Sequence, residues 1–500
     1  MSEPKPMMIT KSRMTAKIPI VPVFGVAALV LASLGVNVAE KSPGSRPVPG
    51  AASHPFRVAT DFPSIQAAID SLEPGIGGTV YIPEGRYRLD KALDLTRMNY
   101  HTQTRAEDQK LGRKSRTNTY LHLMGAGNGT ILEGTMQEGP VIDMTDCSYC
   151  TLSNLQIQSQ SADCGILLAR PHPKLRNGIL LSCGWHTFYN LNISGHYRVA
   201  AVYNQASEVD RWYGCTFNNS TPDAHCFVFT YRNFAGIQSP FVGETCEVGS
   251  NADQRLHGCL FFHHPAKGKA EPQGATIYIQ GWAEDFSLTD CDFGTSNVKA
   301  AVWIDSTRNP VKQVHLTNNR FENQNQVLLL ATGRTFLVDF EGNTCYGAGT
   351  NYIRADHAEY WRIQGNMFGR SDTPAAAPLQ FKALVRSDLG RNWYLSKEDA
   401  HGKGTPLVVA GQCVETDLVL PSAADFQGSL ARSHLVALND AGVRREYVGG
   451  GQAGLLNLTP LDVKTIAQPK RGDVALDDGT NAPDKKPAIA IFDGKQWIVR

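Results

Sequence analysis

Three observations in the 500-residue sequence predict an all-β chain wound as a parallel coil. A six-residue pattern recurs eight times: an apolar residue, two spacers, a small residue, one spacer, then an aromatic or other apolar residue. The copies begin at Leu152, Phe188, Trp212, Leu256, Leu288, Leu316, Phe340 and Ile363. Their fourth residues step by 36, 24, 44, 32, 28, 24 and 23, a short repeat with two insertions, as in a solenoid. A second strand follows most copies, at Val202–Gln205, Val228–Tyr231, Ile277–Gln280, Val302–Asp305, Leu328–Ala331 and Ile353–Asp356. Two strands per turn with alternating faces suit a parallel β-coil. No helical stripe of comparable regularity competes in this region.

The fourth residues explain the stacking. Cys215, Cys259 and Cys291, then Asn319, Asn343 and Asn366, form one inward column. A free Cys packs as a small apolar group. Stacked Asn side chains satisfy their amides rung to rung, as amide ladders do in other stacked sheets. These six residues are read as structure, with no chemistry assigned to them.

The ladder resembles the right-handed parallel β-helix of the pectate lyase superfamily. So does the opening, Phe62-Pro-Ser-Ile-Gln-Ala-Ala-Ile-Asp70 followed by Gly77-Gly-Thr-Val-Tyr-Ile-Pro-Glu-Gly-Arg-Tyr87, which is similar to the capping helix and first strand of many polysaccharide lyases, related hydrolases and phage tailspikes. The resemblance covers residues 57 to about 380 and implies a polysaccharide-active protein. It carries no catalytic residue over. The Trp-Ile-Asp-His run of many pectate lyases is missing, and Val302-Trp-Ile-Asp305 lies on the other strand without the His. The polygalacturonase and pectin methylesterase signatures are absent too.

Along the chain, residues 1–39 read as a signal peptide or membrane anchor, because Ile18 to Val38 is apolar and uncharged. Residues 40–55 are a Pro/Gly/Ser linker, 56–384 the β-helix, and 385–500 a C-terminal β extension or cap. Ser64 to Leu72, with apolar residues at 65, 68, 69 and 72, forms a short helix that covers the open end of the coil. Asn99 to Asn118 is a basic insertion, either a solvated loop or an arm toward an acidic polymer. Further insertions at Arg170 to Arg176, Asn233 to Asp253 and Gly268 to Gly274 collect where solenoids build binding sites. Asp478-Gly and Asp493-Gly mark hairpins in the tail.

Lys+Arg 48 against Asp+Glu 47 leaves no basic excess for nucleic acid. The reading is therefore extracytoplasmic: secreted, periplasmic or anchored through the N-terminal segment, as a monomer or homotrimer. Cys147-x-x-Cys150 has no second such pair to complete a zinc site and reads as a local disulfide or plain burial.

The second strand supplies the candidate site. Its alternation turns Val302 and Ile304 inward and Trp303 and Asp305 outward. One outward column is then Tyr203, Phe229, Tyr278, Trp303 and Arg354; the next is Gln205, Tyr231, Gln280, Asp305 and Asp356. Rings beside hydrogen-bonding groups suit a linear glycan lying along the coil, with Tyr203, Tyr231, Arg232, Tyr278, Gln280 and Trp303 as contacts. The competing reading is an aromatic strip covered by inserted loops or a partner subunit.

Asp305 and Asp356, two rungs apart, stand roughly 9.6 Å from each other. That is near the upper edge of the roughly 6.5–9.5 Å of inverting glycosidases. Asp290 and Asp292, flanking Cys291 at about 7 Å, are the alternative pair. A lyase instead needs a base and a group that neutralises the substrate carboxylate. Arg354, Arg232, Tyr231, His357, His225 and Tyr278 supply candidates, and Asp305 with Asp356 is then the place for a Ca²⁺ ion if one binds. Otherwise no cofactor is expected. His263 and His264 read as exposed loop residues. Non-catalytic glycan binding on a surface β-helix is the alternative function.

Overall fold

The computed structural model describes residues 55–73, 77–95, 120–145, 147–169, 183–205, 207–230, 251–263, 273–281, 283–294, 296–324, 326–369, 377–394, 406–438, 444–448, 474–477, 488–492 and 495–499. All lie within the unit His54–Arg500. The N-terminal segment, the linker up to residue 54, the basic insertion and most of the long loops fall outside the described residues. Among the described residues no helix is long and apolar enough to cross a membrane.

Nearly every strand pairs in parallel with the strands one turn before and after it. The chain is a right-handed parallel β-helix, with three sheets along its length rather than two. The first sheet runs from Phe56–Val58 to His434–Leu438, the second from Gly85–Leu89 to Trp393–Tyr394, and the third from Leu93–Asp94 to Phe426–Ala431. The extra sheet comes from the six-residue pattern itself. Its third residue is left-handed in every copy: Asn154, Asn190, Gly214, Gly258, Asp290, Asn318, Gly342 and Gly365, with φ between 50° and 67°. That turns the chain at a corner, so the leading apolar residue belongs to the first sheet and the sixth to the second. Only Gly, Asn and Asp visit this conformation readily, and only those types occur there.

The columns behave as expected. Phe217, Phe261, Phe293 and Phe321 stack in the core with centroids 5.0, 4.7 and 4.5 Å apart, each contact adding about 0.5–1.5 kcal/mol beyond area burial. Cys215, Cys259 and Cys291 are buried and unbridged. Above them the Asn ladder is complete. Asn319 Nδ2 donates to Asn343 Oδ1 (3.1 Å), Asn343 Nδ2 to Asn366 Oδ1 (3.0 Å), and Asn366 Nδ2 to Asn392 Oδ1 (3.0 Å). Asn392 extends the ladder one rung past the eighth copy.

At the N-terminal end, Ile65–Asp70 is helical, and Ser64 Oγ accepts from Ala67 N–H at 3.0 Å as its cap. Ile65, Ala68, Ile69 and Leu72 are buried. Beyond residue 384 the parallel register continues through Val408–Val414 and Phe426–Ala431, so the stretch expected as a cap includes further turns of the coil. Arg444–Val448 then pairs antiparallel with His434–Leu438. The tail sheet Val474–Asp477, Ala488–Phe492 and Trp497–Val499 is antiparallel throughout, the hairpin pairing its two Asp-Gly turns predict.

Candidate functional site

The outer face of the third sheet aligns Tyr203, Val228, Tyr278, Trp303, Leu330, Arg354 and Gln380 in one column. Val228, not Phe229, takes its place there, and Phe229 is buried in the core. The expected alignment of that strand is one residue out, and a one-residue slip exchanges the faces of a strand. The same slip puts Thr230 beside Gln205, Gln280 and Asp305 where Tyr231 was expected. Tyr231 and Arg232 lie outside the described residues.

The column is not uniformly open. Tyr203 and Tyr278 are only 7% and 8% exposed although they stand outside the core. Trp303 is half-buried, and Arg354 and Gln380 are exposed. The reachable part of the strip therefore begins at Trp303 and runs toward the C-terminal end.

Asp305 is the hub of this face and is itself 7% exposed. Its Oδ2 accepts from Tyr278 Oη at 2.8 Å and Gln280 Nε2 at 3.0 Å. Its Oδ1 accepts from Thr307 N–H (3.1 Å), Thr307 Oγ1 (2.7 Å) and Thr332 Oγ1 (3.2 Å). A carboxylate offers about four lone-pair sites, and five donors fill them. Asp305 is thus a positioning residue: it holds Tyr278 and, through Thr332, the indole N–H of Trp303 (3.0 Å). Burial and the Asp305 charge push the Tyr278 phenol well up, so it stays a donor. Asp305→Asn is expected to cost about 1–3 kcal/mol, because an amide N–H₂ faces donors it cannot accept from. Chemical denaturation measures this, with Asp356→Asn as a comparison expected to lose less than about 1 kcal/mol.

Asp356 stands across a bulge from that hub, between Ala331 and Arg334 on the neighbouring strand. It accepts from Gly333 N–H at 3.1 Å and pairs with Lys382 Nζ at 2.6 Å. Partial burial opposes its charge, but the Lys382 ammonium and the Gly333 N–H outweigh that and hold the carboxyl below its ordinary range. The two carboxylates therefore have separate partners. The oxygens of both are filled by donors of the fold and do not fit a Ca²⁺ ion. Among the described residues no group of three or more acidic, His or Cys side chains is arranged to hold a metal.

Asp290 and Asp292 are not brought to this face. Asp290 is the left-handed corner residue of its copy, exposed and 3.6 Å from His257 Nδ1. Asp292 points outward from the second sheet, in register with Leu260 and Arg320. Their spacing reflects the corner motif, not a cleft.

Lys299 is the residue that sequence reasoning missed. It precedes the strand Ala300–Ser306, and its Nζ sits 3.9 Å from the Trp303 ring centroid. Neither Lys299 nor Arg354 has an ion-pair partner among the described residues. Partial burial holds the Lys299 ammonium below its ordinary range; Asp305 works the other way, and Arg354 adds to the fall. With Lys299 on one side of the ring and Tyr278 edge-on at 4.9 Å, Trp303 holds a cation rather than offering a bare platform to a sugar.

His225 stacks on Tyr278 with centroids 4.8 Å apart. Burial pushes its imidazole down to about 4, with His263 and Lys299 adding to the effect. Its Nδ1 accepts from Ala275 N–H at 3.0 Å, which leaves the proton on Nε2. His225 is therefore a neutral donor, not a base. His263, expected in an exposed loop, is buried, and His357 lies part-buried beside the bulge.

The strand register makes the chain a parallel β-helix. No family model matches the chain, and no curated protein matches it. Solved structures do. The A-module of the Azotobacter vinelandii mannuronan C-5 epimerase AlgE4 is 10% identical with a TM-score of 0.40, over 80% of this chain and 100% of that one. The catalytic unit of a GH87 α-1,3-glucanase from Streptomyces thermodiastaticus is 10% identical with a TM-score of 0.37, over 83% and 70%. PfbA, a surface adhesin of Streptococcus pneumoniae, is 11% identical with a TM-score of 0.36, over 77% and 89%. These likenesses are distant, and the fold rests on the strand register rather than on them.

Proposed function

We propose that the open part of the third-sheet strip binds an anionic polysaccharide and cleaves it by β-elimination. One observation supports this reading: Lys299 and Arg354 are two basic side chains without carboxylate partners among the described residues, beside carboxylates whose oxygens are already occupied. In this scheme Arg354 neutralises the uronate carboxylate, which makes the adjacent C–H acidic. Unprotonated Lys299 takes that proton, the bond to the leaving sugar oxygen breaks, and its electron pair leaves with that oxygen. The C–H electrons form the new C=C bond, and the leaving oxygen is protonated by solvent or by the Lys299 ammonium. Two-carboxylate hydrolysis fits less well, because it needs two carboxyls free to face the sugar and the water, and the oxygens of Asp305 and Asp356 are occupied. Export of the protein, read from the uncharged stretch Ile18 to Val38, goes with this function.

The test is a panel of acidic polysaccharides. The expected result is new ultraviolet absorbance from unsaturated sugar ends, with kcat/KM rising with pH as Lys299 loses its proton. Saturated products would point to hydrolysis, and binding without products to a non-catalytic glycan-binding protein; either would overturn the elimination.

A further inference from the structure

We propose that Ser287, His315 and Asp339, on the outer face of the first sheet, form a nucleophile–base–carboxylate triad that hydrolyses a short-chain acyl ester. The three stand on consecutive rungs of one outward column. Ser287 is in register with His315, and His315 with Asp339. Each lies between two core residues of its own strand: Phe286 and Leu288, Val314 and Leu316, Val338 and Phe340. Their order along the column is the order in which acyl transfer uses them.

His315 Nδ1 is 2.8 Å from Asp339 Oδ2, so the carboxylate accepts from Nδ1–H and the lone pair is left on Nε2. Nε2 faces the rung of Ser287, 4.0 Å from Asp285 Oδ1. Ser287 Oγ rests 3.5 Å from Thr289 Oγ1, and a change of rotamer frees it for the ring. Such nucleophile–base bonds commonly tighten only with substrate bound. Arg362 Nε steadies Asp339 from the far side, 3.8 Å from Oδ1. Arg255 is in register with Ser287 on the rung below. Its Nε bonds Asp253 Oδ1 at 2.7 Å and its Nη2 bonds Asp285 Oδ2 at 2.9 Å, which leaves three of its five donors. Surface pairs of this kind are worth about 0–1 kcal/mol, so the guanidinium shifts at little cost. The shift opens the way to Ser287, 9% exposed at rest, and brings donors to an acyl oxyanion. The charged neighbours alone make an ion-pair ladder, to which a serine in register with the imidazole adds nothing. A flat sheet face builds no wall for a long acyl chain, so the substrate that fits is a short acyl group, such as acetyl, on a larger alcohol.

Ser287 Oγ attacks the ester carbonyl carbon while its proton passes to His315 Nε2. The bond from that carbon to the alcohol oxygen breaks, and the leaving oxygen takes the proton. Water then gives a proton to Nε2 and its oxygen to the acyl carbon. The bond to Oγ breaks, and Ser287 recovers the proton. The sum is ester plus water to acid plus alcohol. The base must be neutral. Its bond to Asp339 lifts the imidazole above its ordinary range against partial burial; Asp285 adds to the rise and Arg255 opposes it. Turnover should therefore rise with pH through a midpoint above the ordinary imidazole range.

The full chain is treated with a serine-directed fluorophosphonate and mapped by mass spectrometry, and p-nitrophenyl acetate turnover is followed across pH. The expected results are label on Ser287 and an initial burst of p-nitrophenol. Ser287→Ala should abolish both. Asp339→Asn should lower kcat by about 10²–10⁴-fold and move the pH midpoint down, because Asp339 acts through His315. Ser194→Ala, on the second sheet, should change neither label nor turnover. Label elsewhere, no label, or unchanged turnover in Ser287→Ala would overturn the proposal. If Ser287→Ala does not fold, the position of the label in the unaltered chain still decides. None of these readouts depends on the elimination assigned to Lys299.

Discussion

Lys299→Met is expected to lower kcat/KM on an acidic glycan by about 10²–10⁴-fold, the usual contribution of a positioned general base. Met keeps the length and apolar stem of Lys and can still lie against Trp303, where Nζ now sits 3.9 Å from the ring centroid. Stability should therefore change little, and the loss should fall on kcat. The rise of kcat/KM with pH should vanish with it, because the unprotonated amine is the active form. Arg354→Met should raise KM as well, since it removes the partner of the substrate carboxylate. Steady-state kinetics across pH separates the two. Equal losses in both variants, confined to KM, would mean that Lys299 binds but does not move a proton.

Asn343→Ala is expected to cost about 3–5 kcal/mol, from several buried partners each worth about 1–3 kcal/mol when left unmet. Asn343 Nδ2 donates to the Leu316 carbonyl at 2.8 Å and to Asn366 Oδ1 at 3.0 Å. Its Oδ1 accepts from Asn319 N–H at 2.9 Å and Asn319 Nδ2 at 3.1 Å. Alanine satisfies none of these. Cys259→Ala, lower in the same column, should cost far less because its neighbours ask for volume rather than hydrogen bonds. In a solenoid each turn is held chiefly by its neighbours, so the loss is local. Amide exchange at Asn319 should accelerate most, with urea unfolding reporting the total.

The inward columns were legible because they repeat a residue type at a fixed step. Cys215 to Asn366 and the Phe217 to Phe321 stack follow from that directly. The corner was written in the same copies, as Gly, Asn or Asp at the third position, and reading it would have separated the first sheet from the second. It would also have removed Asp290 from the candidate acids. The ninth copy, Leu389-Gly-Arg-Asn392-Trp-Tyr394, carries the pattern but lies past the point where the second strand stops announcing itself.

The site was less legible, because an outer face has no packing constraint to keep its residues periodic. Strand His225–Thr230 could be aligned two ways, and only its pairing with Ala275–Gln280 decides that Val228 faces out. Lys299 sits before its strand, outside any alternation. Asp305 was correctly placed at the centre of the face, but its five donors come from four residues on three strands or turns, which no linear spacing reveals.

The most direct test of the account is a crystal structure of the Lys299→Met protein with an acidic oligosaccharide bound. The account predicts a sugar beside residue 299 and Trp303, with its carboxylate within hydrogen-bond distance of the Arg354 guanidinium. A glycan seated on another sheet, or one on this strip that leaves Arg354 without a carboxylate, would contradict it.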